Sequence, residues 1–318
     1  MHTEIDKPKV VVVCGPTALG KTAVAIDLAG QFAAEIVGAD SMQIYRYMNI
    51  GTAKPTLEEQ TLVPHHMIDI VDPDERFDAK LFATMARKKI SDLHRAGVTP
   101  FVVGGTGFYI KALVHGLFGV ETTDLSVRSR LKKEVEFHGS HQLHKRLKNY
   151  DPDSAARIHP NDVYRIIRAL EIYEITGRAV SDLHRAHGFK DEPYRVLKIG
   201  LYMERERLYD RIDQRVEDMV KAGFVDEVNM LLGMGYSSDL KSMQSIGYRH
   251  MTDFIKGRSS WEQTLSTLKR DTRRYAKRQI AWFRADPEVV WAGKEQMTNV
   301  RHTIKEFLRV ANNTKTNM

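Results

Sequence analysis

The stretch that decides the fold is VVVVCGPTALGKT, residues 10–22. Its four valines are typical of a strand buried on both faces. Residues 15–22 fit the pattern G-x-x-x-x-G-K-[ST], in which glycines let successive backbone N–H groups surround phosphate oxygens at a helix N-terminus. Lys21 adds a positive charge, and Thr22 can hold a magnesium ion. The stretch therefore predicts a strand, a phosphate-binding loop and a helix.

The loop alone leaves its ligand open. P-loop NTPases usually have a second strand that ends in an aspartate for magnesium. Asp69 instead lies among apolar neighbours, and the run FVVGG at residues 101–105 has no acid at its end. A plain ATPase is therefore less well supported than the loop suggests, while a small-molecule kinase that uses ATP stays an alternative.

Further apolar segments alternate with helix-like ones through the first 115 residues. Strands are predicted at residues 35–41, 66–72 and 100–107, and helices at residues 21–32 and 77–95. Such alternation predicts an α/β fold: a P-loop parallel sheet flanked by helices. Ligands of these sheets bind beyond the carboxyl ends of the strands, so the phosphate loop, Asp40 and the glycine turn after residue 103 are expected to meet there.

Residues 121–193 are polar and rich in histidine, with no strand-like run, and they predict a helical insertion domain. Within it Arg165 and Arg168 are either phosphate contacts or solvated charges. Residues 1–120 and 194–318 are then the α/β core. In its second part we expect a strand at residues 195–203, helices up to about residue 283 and a frayed tail after Thr303.

The composition predicts a globular protein with a polyanionic partner. The 318 residues carry a net charge of +7, and a basic excess favours such partners. The one cysteine, Cys14, allows no internal disulfide and no cysteine-based metal site. No apolar stretch approaches the roughly 18 residues that span a membrane, and the N-terminus lacks a signal peptide's apolar segment. We expect a monomeric cytoplasmic protein that has no membrane partner.

Asp40 is the most informative acid, because it follows a strand and faces the same crevice as the loop. It can accept a proton from a nucleophile, or it can cap the next turn, and the local sequence leaves both open. Thr106 has two similar alternatives: contact with a substrate, or capping of a helix that begins near Phe108.

A basic segment near the C-terminus favours polyanion binding. Its cations on one helix side are Arg270, Arg273, Arg274, Lys277 and Arg278. Such a stripe can follow a nucleic-acid backbone, and acidic partners four residues away are mostly missing. The alternatives are a solvated face with ion pairs and a nucleic-acid-binding protein that performs no chemistry.

Seven segments together resemble one family, the bacterial tRNA dimethylallyltransferases, also called tRNA isopentenyltransferases. In chain order they are GPTALGKT, ADSMQIYRYMNIGTAKP, HHMIDIVDP, FVVGGTGFYIKAL, ARIHPNDVYRIIRALEIY, MQSIGYRHM and RRYAKRQIAWFR. The similarity runs from about residue 10 to residue 283, and seven blocks are far more specific than a phosphate loop. Eukaryotic relatives often append a zinc finger, which a chain with one cysteine cannot form.

The resemblance implies a ligand for the loop. In this family the loop holds the diphosphate of dimethylallyl diphosphate with Mg²⁺, and the dimethylallyl group passes to the exocyclic amine of the adenosine 3′-adjacent to the anticodon of tRNA. It further implies that Asp40 is the general base, that Thr17 and Arg215 act at the diphosphate, and that Thr22 holds the metal ion. The implied diphosphate-binding residues are Gly15, Pro16, Thr17, Ala18, Leu19, Gly20, Lys21 and Thr22.

The resemblance also implies a surface for the anticodon stem-loop of tRNA, which the insertion and the basic helix would grip. The implied contacts are Asp40, Ser41, Met42, Gln43, Thr106, Arg128, Tyr164, Arg165, Ile166, Ile167, Arg168, Gln244, Gly247, Tyr248, Arg249, Arg273, Arg274, Lys277 and Arg278. The last four belong to a longer implied segment, residues 272–279.

Overall fold

The computed structural model describes residues 7–117, 124–188 and 191–309. The chain divides into two compact units, residues 1–114 with 192–318 and residues 115–191. Each unit has its own hydrophobic core. The limits predicted for the insertion, 121 and 193, lie a few residues further along the chain, and residue 121 itself is outside the described residues.

The described part of the first unit contains one six-stranded sheet in which all strands are parallel, in the order β3-β2-β4-β1-β5-β6. The strands are β1 (Lys9–Cys14), β2 (Ala34–Gly38), β3 (His65–His66), β4 (Thr99–Gly104), β5 (Arg195–Leu201) and β6 (Val289–Ala292). The predicted α/β class with a parallel sheet is confirmed.

The helices follow the predicted alternation and then continue to the C-terminal end of the described chain. They are α1 (Lys21–Gln31), α2 (Leu57–Leu62), α3 (Ala79–Arg95), α4 (Gly107–His115), α5 (Leu125–His138), α6 (Ser140–Tyr150), α7 (Pro152–Arg157), α8 (Val163–Thr176), α9 (Val180–His187), α10 (Arg205–Lys221), α11 (Phe224–Gly233), α12 (Tyr248–Ile255), α13 (Trp261–Arg284) and α14 (Met297–Arg309). Among the described helices, none combines the length and the apolar character needed to cross a membrane.

Strand β1 lies inside the sheet because its valines leave no polar side chain that needs water. All four, residues 10–13, are 0 % exposed. Cys14 pairs with Gly104 of β4 on one side and with Gly200 of β5 on the other. Since β4 also pairs with β2, the carboxyl ends of β1, β2 and β4 lie side by side, and the loops that follow them share one edge.

The described residues of the second unit form helices, α5 to α9, and no strand. Its fully buried leucine and isoleucine side chains are Leu131, Leu147, Ile166 and Leu170. The buried carboxylate of Asp151 joins two helix starts, because one oxygen accepts from Ser154 N at 2.9 Å and the other from Ser181 N at 3.0 Å. This unit therefore has both an apolar core and a polar clamp of its own.

The strand predicted at residues 66–72 is wrong beyond its first residue. Pairing in the sheet covers only His65–His66. Met67 and Asp69 have φ of 64° and 52°, in the left-handed region that a strand does not contain. Apolar alternation alone therefore overstated the length of this edge strand.

The C-terminal part of the core was also predicted incompletely. Strand β6 pairs with β5, and α14 buries Val300 and Ile304 in the core of the first unit. The expectation of a frayed tail after Thr303 is wrong as far as residue 309, because the amphipathic spacing of α14 gives it an apolar face to bury. Residues 310–318 lie outside the described residues.

Gly104→Ala is expected to destabilise the protein. The added Cβ would lie 2.1 Å from the backbone oxygen of Ala39, so β4 and the loop after β2 would have to separate. The free energy of unfolding should fall by at least about 2 kcal/mol, measured as a lower urea midpoint at an unchanged m-value.

The matched control is Gly30→Ala on α1, where nothing lies within 4 Å of the added Cβ. Alanine at a helical position should raise the stability by about 0.5–1 kcal/mol. Equal midpoints for the two variants would contradict the close approach of β4 and Ala39.

Candidate active site at the carboxyl edge of the sheet

The phosphate loop joins β1 to α1 in a conformation that its glycines permit. Gly15 has φ +142° and Gly20 has φ +75°, where residues with a Cβ are strained. A Cβ on Gly15 would also lie 3.0 Å from the carbonyl oxygen of Leu201. Because Gly20 is the N-cap of α1, no side chain covers the N–H groups of the first turn. The loop thus offers N–H groups and a positive helix end to an anion.

Lys21 is a half-buried cation whose charge the loop only partly compensates. Its Nζ donates to the Pro16 carbonyl at 2.8 Å. Burial lowers the pKa of Lys21 to about 8; the Asp40 carboxylate opposes that shift and Arg215 reinforces it. Pro16 has no N–H, so among the predicted diphosphate-binding residues it can contribute only through its carbonyl. A ligand with negative charge would stabilise the charged form of Lys21.

Asp40 both closes a turn and keeps an oxygen available. Its Oδ1 accepts from Met42 N at 2.8 Å and from Gln43 N at 3.3 Å. Its Oδ2 accepts no hydrogen bond from any described residue. The two alternatives for Asp40 are therefore compatible, because turn formation uses one carboxylate oxygen and leaves the other for a ligand or a proton.

The glycine turn after β4 lies against both other loops. The hydroxyl of Thr106 accepts from Ser41 N at 3.0 Å, directly after Asp40. Burial and the charge of Asp40 raise the pKa of Tyr275, and a hydrogen bond to Thr106 opposes that shift. The Thr106 side chain thus ties the turn to the loop that carries Asp40, and it is not available as a simple helix cap.

Gln279, on α13, connects the phosphate loop to the glycine turn. Its Oε1 accepts from Thr17 N at 2.9 Å, and its Nε2 donates to the Gly105 carbonyl at 2.8 Å. A Cβ on Gly105 would lie 2.3 Å from that Nε2, so a side chain there would displace the Gln279 amide from its two hydrogen bonds. The segment 272–279 was expected to contact tRNA, but Gln279 is only 6 % exposed and instead shapes the site.

Arg215, on α10, supplies the second cation of the site. Burial lowers its pKa, and the Asp40 carboxylate opposes that shift. The guanidinium Nη2 lies 3.5 Å from the Thr52 carbonyl oxygen, and no carboxylate of the described chain forms an ion pair with it. Arg215 and Lys21 are therefore two half-buried cations with one nearby carboxylate.

Glu227, on α11, holds the turn that precedes Thr52, and the sequence analysis did not find it. Its buried carboxylate accepts from the N–H groups of residues 49, 50 and 51 at 2.8, 2.7 and 3.0 Å. The hydroxyl of Tyr248 donates to the same carboxylate at 2.6 Å. The signal that could have identified it is helical spacing: Glu227 lies three residues after Phe224 and four before Leu231, on the apolar face of α11.

Two residues near α12 that were predicted to contact tRNA, Gly247 and Tyr248, are buried in the structure. Tyr248 is 1 % exposed, and Gly247, also buried, donates through its N–H to His250 Nδ1 at 3.2 Å. Gln244 is exposed, with Nε2 bonded to the Ser238 carbonyl at 2.7 Å. Arg249 is partly exposed and pairs with Asp271 at 2.6 Å. Only Gln244 and Arg249 of this group therefore reach the surface.

Two predicted contacts on α8 are corrected for the same reason, because Ile166 and Ile167 are 0 % and 5 % exposed in the core of the second unit. Tyr164 is 72 % exposed, and Arg165 is exposed too.

Arg128 and Arg168 are partly exposed and share one partner. Their guanidinium groups lie 2.7 and 2.9 Å from the same carboxylate oxygen of Glu171, whose side chain is fully buried. Both arginines are thus positioned by a buried acid and expose part of their donors.

The three residues after Asp40 that were predicted to contact tRNA differ in whether their side chains are available to a ligand. Ser41 and Met42 are partly exposed. The side-chain amide of Gln43 donates to the carbonyls of Thr52 and Ala53 at 3.2 and 3.0 Å, so it organises the neighbouring turn.

The basic stripe of α13 has acidic partners along its first half, although Arg249, Arg270 and Arg274 share the single carboxylate of Asp271. Arg273 is bound to both carboxylate oxygens of Asp213 at 2.9 and 2.8 Å, and Arg270 and Arg274 lie beside Asp271. Lys277 and Arg278 are exposed and form no ion pair within the described chain. The expectation concerned acidic partners four residues away on the same helix, and it holds for these two and for Arg273, whose partner comes from α10 instead.

The described residues contain no group of three or more histidine, cysteine or acidic side chains suited to a metal ion. The half-buried hydroxyl of Thr22 makes no hydrogen bond to any described residue. A hard cation would thus need oxygen ligands from a bound phosphate in addition to this hydroxyl.

Comparison with known proteins identifies the family. The family model described as "IPP transferase" matches residues 43–286, and that described as "Isopentenyl transferase" matches residues 8–68. A tRNA dimethylallyltransferase of Desulfosudis oleivorans is 54 % identical over 95 % of this chain and 97 % of its own. One of Desulfatibacillum aliphaticivorans is 52 % identical over 95 % and 99 %.

Solved structures agree with the sequence relatives. The crystal structure of the full-length tRNA isopentenylpyrophosphate transferase of Bacillus halodurans is similar with a TM-score of 0.73 and 41 % identity, over 98 % of this chain and 100 % of that one. A eukaryotic dimethylallyltransferase, described in crystallographic snapshots as acting on tRNA, gives a TM-score of 0.75 at 28 % identity, over 96 % and 79 %. The chain therefore belongs to the IPP transferase family, the tRNA dimethylallyltransferases, and it is a transferase enzyme.

Proposed function

We propose that this protein transfers a dimethylallyl group from dimethylallyl diphosphate to the exocyclic amine of the adenosine 3′-adjacent to the anticodon in tRNA, releasing diphosphate. One observation carries the proposal: hydrogen bonds join the phosphate loop to the glycine turn and that turn to Ser41, so the Asp40 carboxylate shares one edge of the sheet with Lys21 and Arg215, two half-buried cations whose pKa values it affects. A departing diphosphate needs the cations, and a nucleophile that must lose a proton needs the carboxylate.

The donor's diphosphate binds the loop of residues 15–22 in this proposal. Lys21 and Arg215 neutralise its charge, and because burial lowers the pKa of both, a bound anion favours their charged forms. Thr17 contributes its hydroxyl, because its N–H is already held by Gln279. The remaining loop N–H groups and the start of α1 bind the other oxygens.

Mg²⁺ fits this arrangement through the Thr22 hydroxyl together with diphosphate oxygens, which matches its preference for few protein ligands and substrate phosphates. When bound, it would add positive charge at the leaving group.

The reaction replaces a carbon–oxygen bond by a carbon–nitrogen bond. The bond from the allylic carbon to diphosphate breaks toward a delocalised cation, and the adenine amine forms the new bond through its lone pair. The amine proton passes to Asp40, whose Oδ1 is fixed by the turn and whose Oδ2 stays free. Water must be excluded, because it would capture the same cation.

The RNA must present a base that has left its stack, at a cost of a few kcal/mol. We propose that the exposed cations Lys277 and Arg278 bind its backbone and offset that cost. Tyr164 and Arg165 are the exposed candidates of the second unit, and Ser41 and Met42 those beside Asp40.

The test is one incubation of the purified protein with Mg²⁺ and an unmodified tRNA that has adenosine beside the anticodon. Labelled dimethylallyl diphosphate should transfer its label to the RNA, whereas labelled ATP run in parallel should not be turned over. Hydrolysis of ATP with no prenyl transfer would favour a kinase-like activity and refute the proposal.

Asp40→Asn should lower kcat by about 10²- to 10⁴-fold, the usual contribution of a general base. The amide oxygen can still accept from Met42 N and Gln43 N, so the turn survives and the affinity for tRNA should change by less than about threefold. Single-turnover transfer and filter binding measure the two quantities.

Asp40→Ala is the matched variant, because it removes the base and the turn together. It should lose tRNA affinity as well as transfer. If Asp40→Asn loses tRNA affinity but transfers normally when saturated with tRNA, Asp40 is a recognition residue and not the base.

Affinity for the prenyl donor should fall as the pH rises through about 8. Lys21 is charged below its pKa of about 8 and neutral above it, so the diphosphate loses one cation. The folding stability of the free protein depends on pH in the opposite direction. Between about pH 8 and the usual pKa of 10.5 the unfolded chain binds more protons than the native one. Lys21 alone therefore makes the fold more stable as the pH rises through that range.

Donor binding measured between about pH 7 and pH 10 checks this. Lys21→Arg keeps its charge throughout and should lose the pH dependence near 8. Cys14 does not compete as the titrating group, because burial raises its pKa to about 12. An identical pH profile for Lys21→Arg would assign the titration to another group.

Gln279→Glu should raise KM for the prenyl donor at least about tenfold and leave KM for tRNA nearly unchanged. The new carboxylate keeps an acceptor for Thr17 N. Its second oxygen would face the Gly105 carbonyl oxygen with no hydrogen to share, and its negative charge would repel the diphosphate. Gln263→Glu is the control on the same helix, because Gln263 is exposed and its oxygen caps Ser260 N at 3.2 Å, as glutamate also does. Similar kinetics for the two variants would contradict the role of Gln279.

A further inference from the structure

Two exposed aromatic side chains meet beside the candidate site and take part in none of the steps above. Phe108, at the start of α4, is 48 % exposed, and Trp282, near the end of α13, is 42 % exposed. Their ring centroids are 6.3 Å apart with the planes at 88°. We name these two side chains the aromatic platform.

The platform is held in place by the backbone. A Cβ on Gly107 would lie 2.2 Å from two atoms of the Trp282 indole, so the ring rests directly against that glycine. The indole N–H has no hydrogen-bond partner among the described residues. The edge of the ring that carries the indole nitrogen therefore packs against the backbone, while 42 % of the residue stays exposed to a ligand.

The platform is close to the proposed base along a short chain of contacts. Phe108 follows Thr106 by two residues, and the Thr106 hydroxyl accepts from Ser41 N at 3.0 Å. Ser41 is the residue after Asp40. A nucleotide next to the one that reaches Asp40 would thus arrive near the platform.

The charges around the platform favour a polyanion as the occupant. Arg274, Arg278 and Trp282 follow one another at intervals of four residues, which places them along one side of α13. Arg274 is 65 % exposed in its side chain, and Arg278 is exposed and lies over the Tyr275 ring at 5.7 Å. Exposed aromatic rings next to cations are how proteins bind unpaired nucleotides, with bases stacked and the backbone on the charges.

We propose that the aromatic platform stacks one unpaired base of the tRNA anticodon loop, a neighbour of the adenosine that receives the prenyl group. In this proposal Arg274 and Arg278 bind the phosphates of the RNA backbone next to the stacked base. This rests on the proposed function. It makes Phe108 and Trp282 substrate-positioning residues that fix how far the target adenosine enters the site.

The test combines protein and RNA changes. Phe108→Ala and Trp282→Ala should each lower kcat/KM for tRNA by about 5- to 150-fold, the range that stacking of one base supplies, with KM for the prenyl donor unchanged. Trp282→Phe should restore most of the loss. Trp261→Phe, at the opposite end of α13, is the control and should behave like the wild type.

The stacked base is identified with anticodon stem-loops that keep the target adenosine and carry one abasic nucleotide at each of the other unpaired positions in turn. At one position the abasic RNA should slow transfer by the wild type but add nothing to the loss in Phe108→Ala or Trp282→Ala. If every position gives independent losses, or if both alanine variants keep the wild-type kcat/KM for tRNA, the platform is not a base-binding site. Circular dichroism of each variant separates these results from misfolding.

A fluorescence measurement tests base stacking on Trp282 without relying on the prenyl-transfer reaction. The chain has three tryptophans, so Trp261→Phe with Trp291→Phe leaves Trp282 as the only tryptophan, and it is excited at wavelengths that tyrosine does not absorb. Its emission should be quenched by the intact stem-loop and much less by the abasic stem-loop identified above. Quenching without any prenyl transfer would retain the platform and reject the proposed function; transfer without quenching would do the reverse.

Discussion

The side-chain amide of Gln279 is the contact on which the geometry of the site depends. It joins the phosphate loop at Thr17 to the glycine turn at Gly105, and those segments come from residues far apart in the sequence. A net hydrogen bond is worth only about 0.5–1.5 kcal/mol, but leaving a buried donor or acceptor without a partner costs about 1–3 kcal/mol. The amide therefore specifies one relative position of the two loops more than it stabilises the fold. The site is complete only when α13 is packed on the sheet.

The charge balance of the site is the second constraint. Lys21 and Arg215 are half-buried beside one carboxylate, and burial lowers the pKa of each. Desolvated cations with incomplete compensation reduce the stability of the free protein, and a multiply charged leaving group recovers that energy when it binds. The two cations bind the diphosphate more strongly as negative charge develops on it during departure. A transferase requires this property of its leaving-group site.

The sequence predicted the parts of the fold and site that depend on local pattern. The valine run, the loop glycines and Asp40 after a strand are short-range features, and each lies where the pattern required. The errors have tertiary causes. Tyr248 and Ile166 occur in segments that resemble tRNA-contacting blocks, but the first serves a buried carboxylate and the second an apolar core. A block of sequence similarity does not separate the residues that touch a ligand from those that support them, because both are fixed by the same fold.

Helix α13 faces two requirements at once, and its sequence meets them on different sides. Ala276, Gln279 and Phe283 are buried, and Gln279 among them fixes the loops that hold a phosphate. Arg278 and Trp282 are on the open side. The residues of the two sides alternate within about two turns of a rigid helix, so a ligand on the outer side is held at a fixed distance from the loops on the inner side. Helical spacing thus fixes the position of a bound RNA relative to the phosphate site, because one rigid helix carries the side chains that contact each of them.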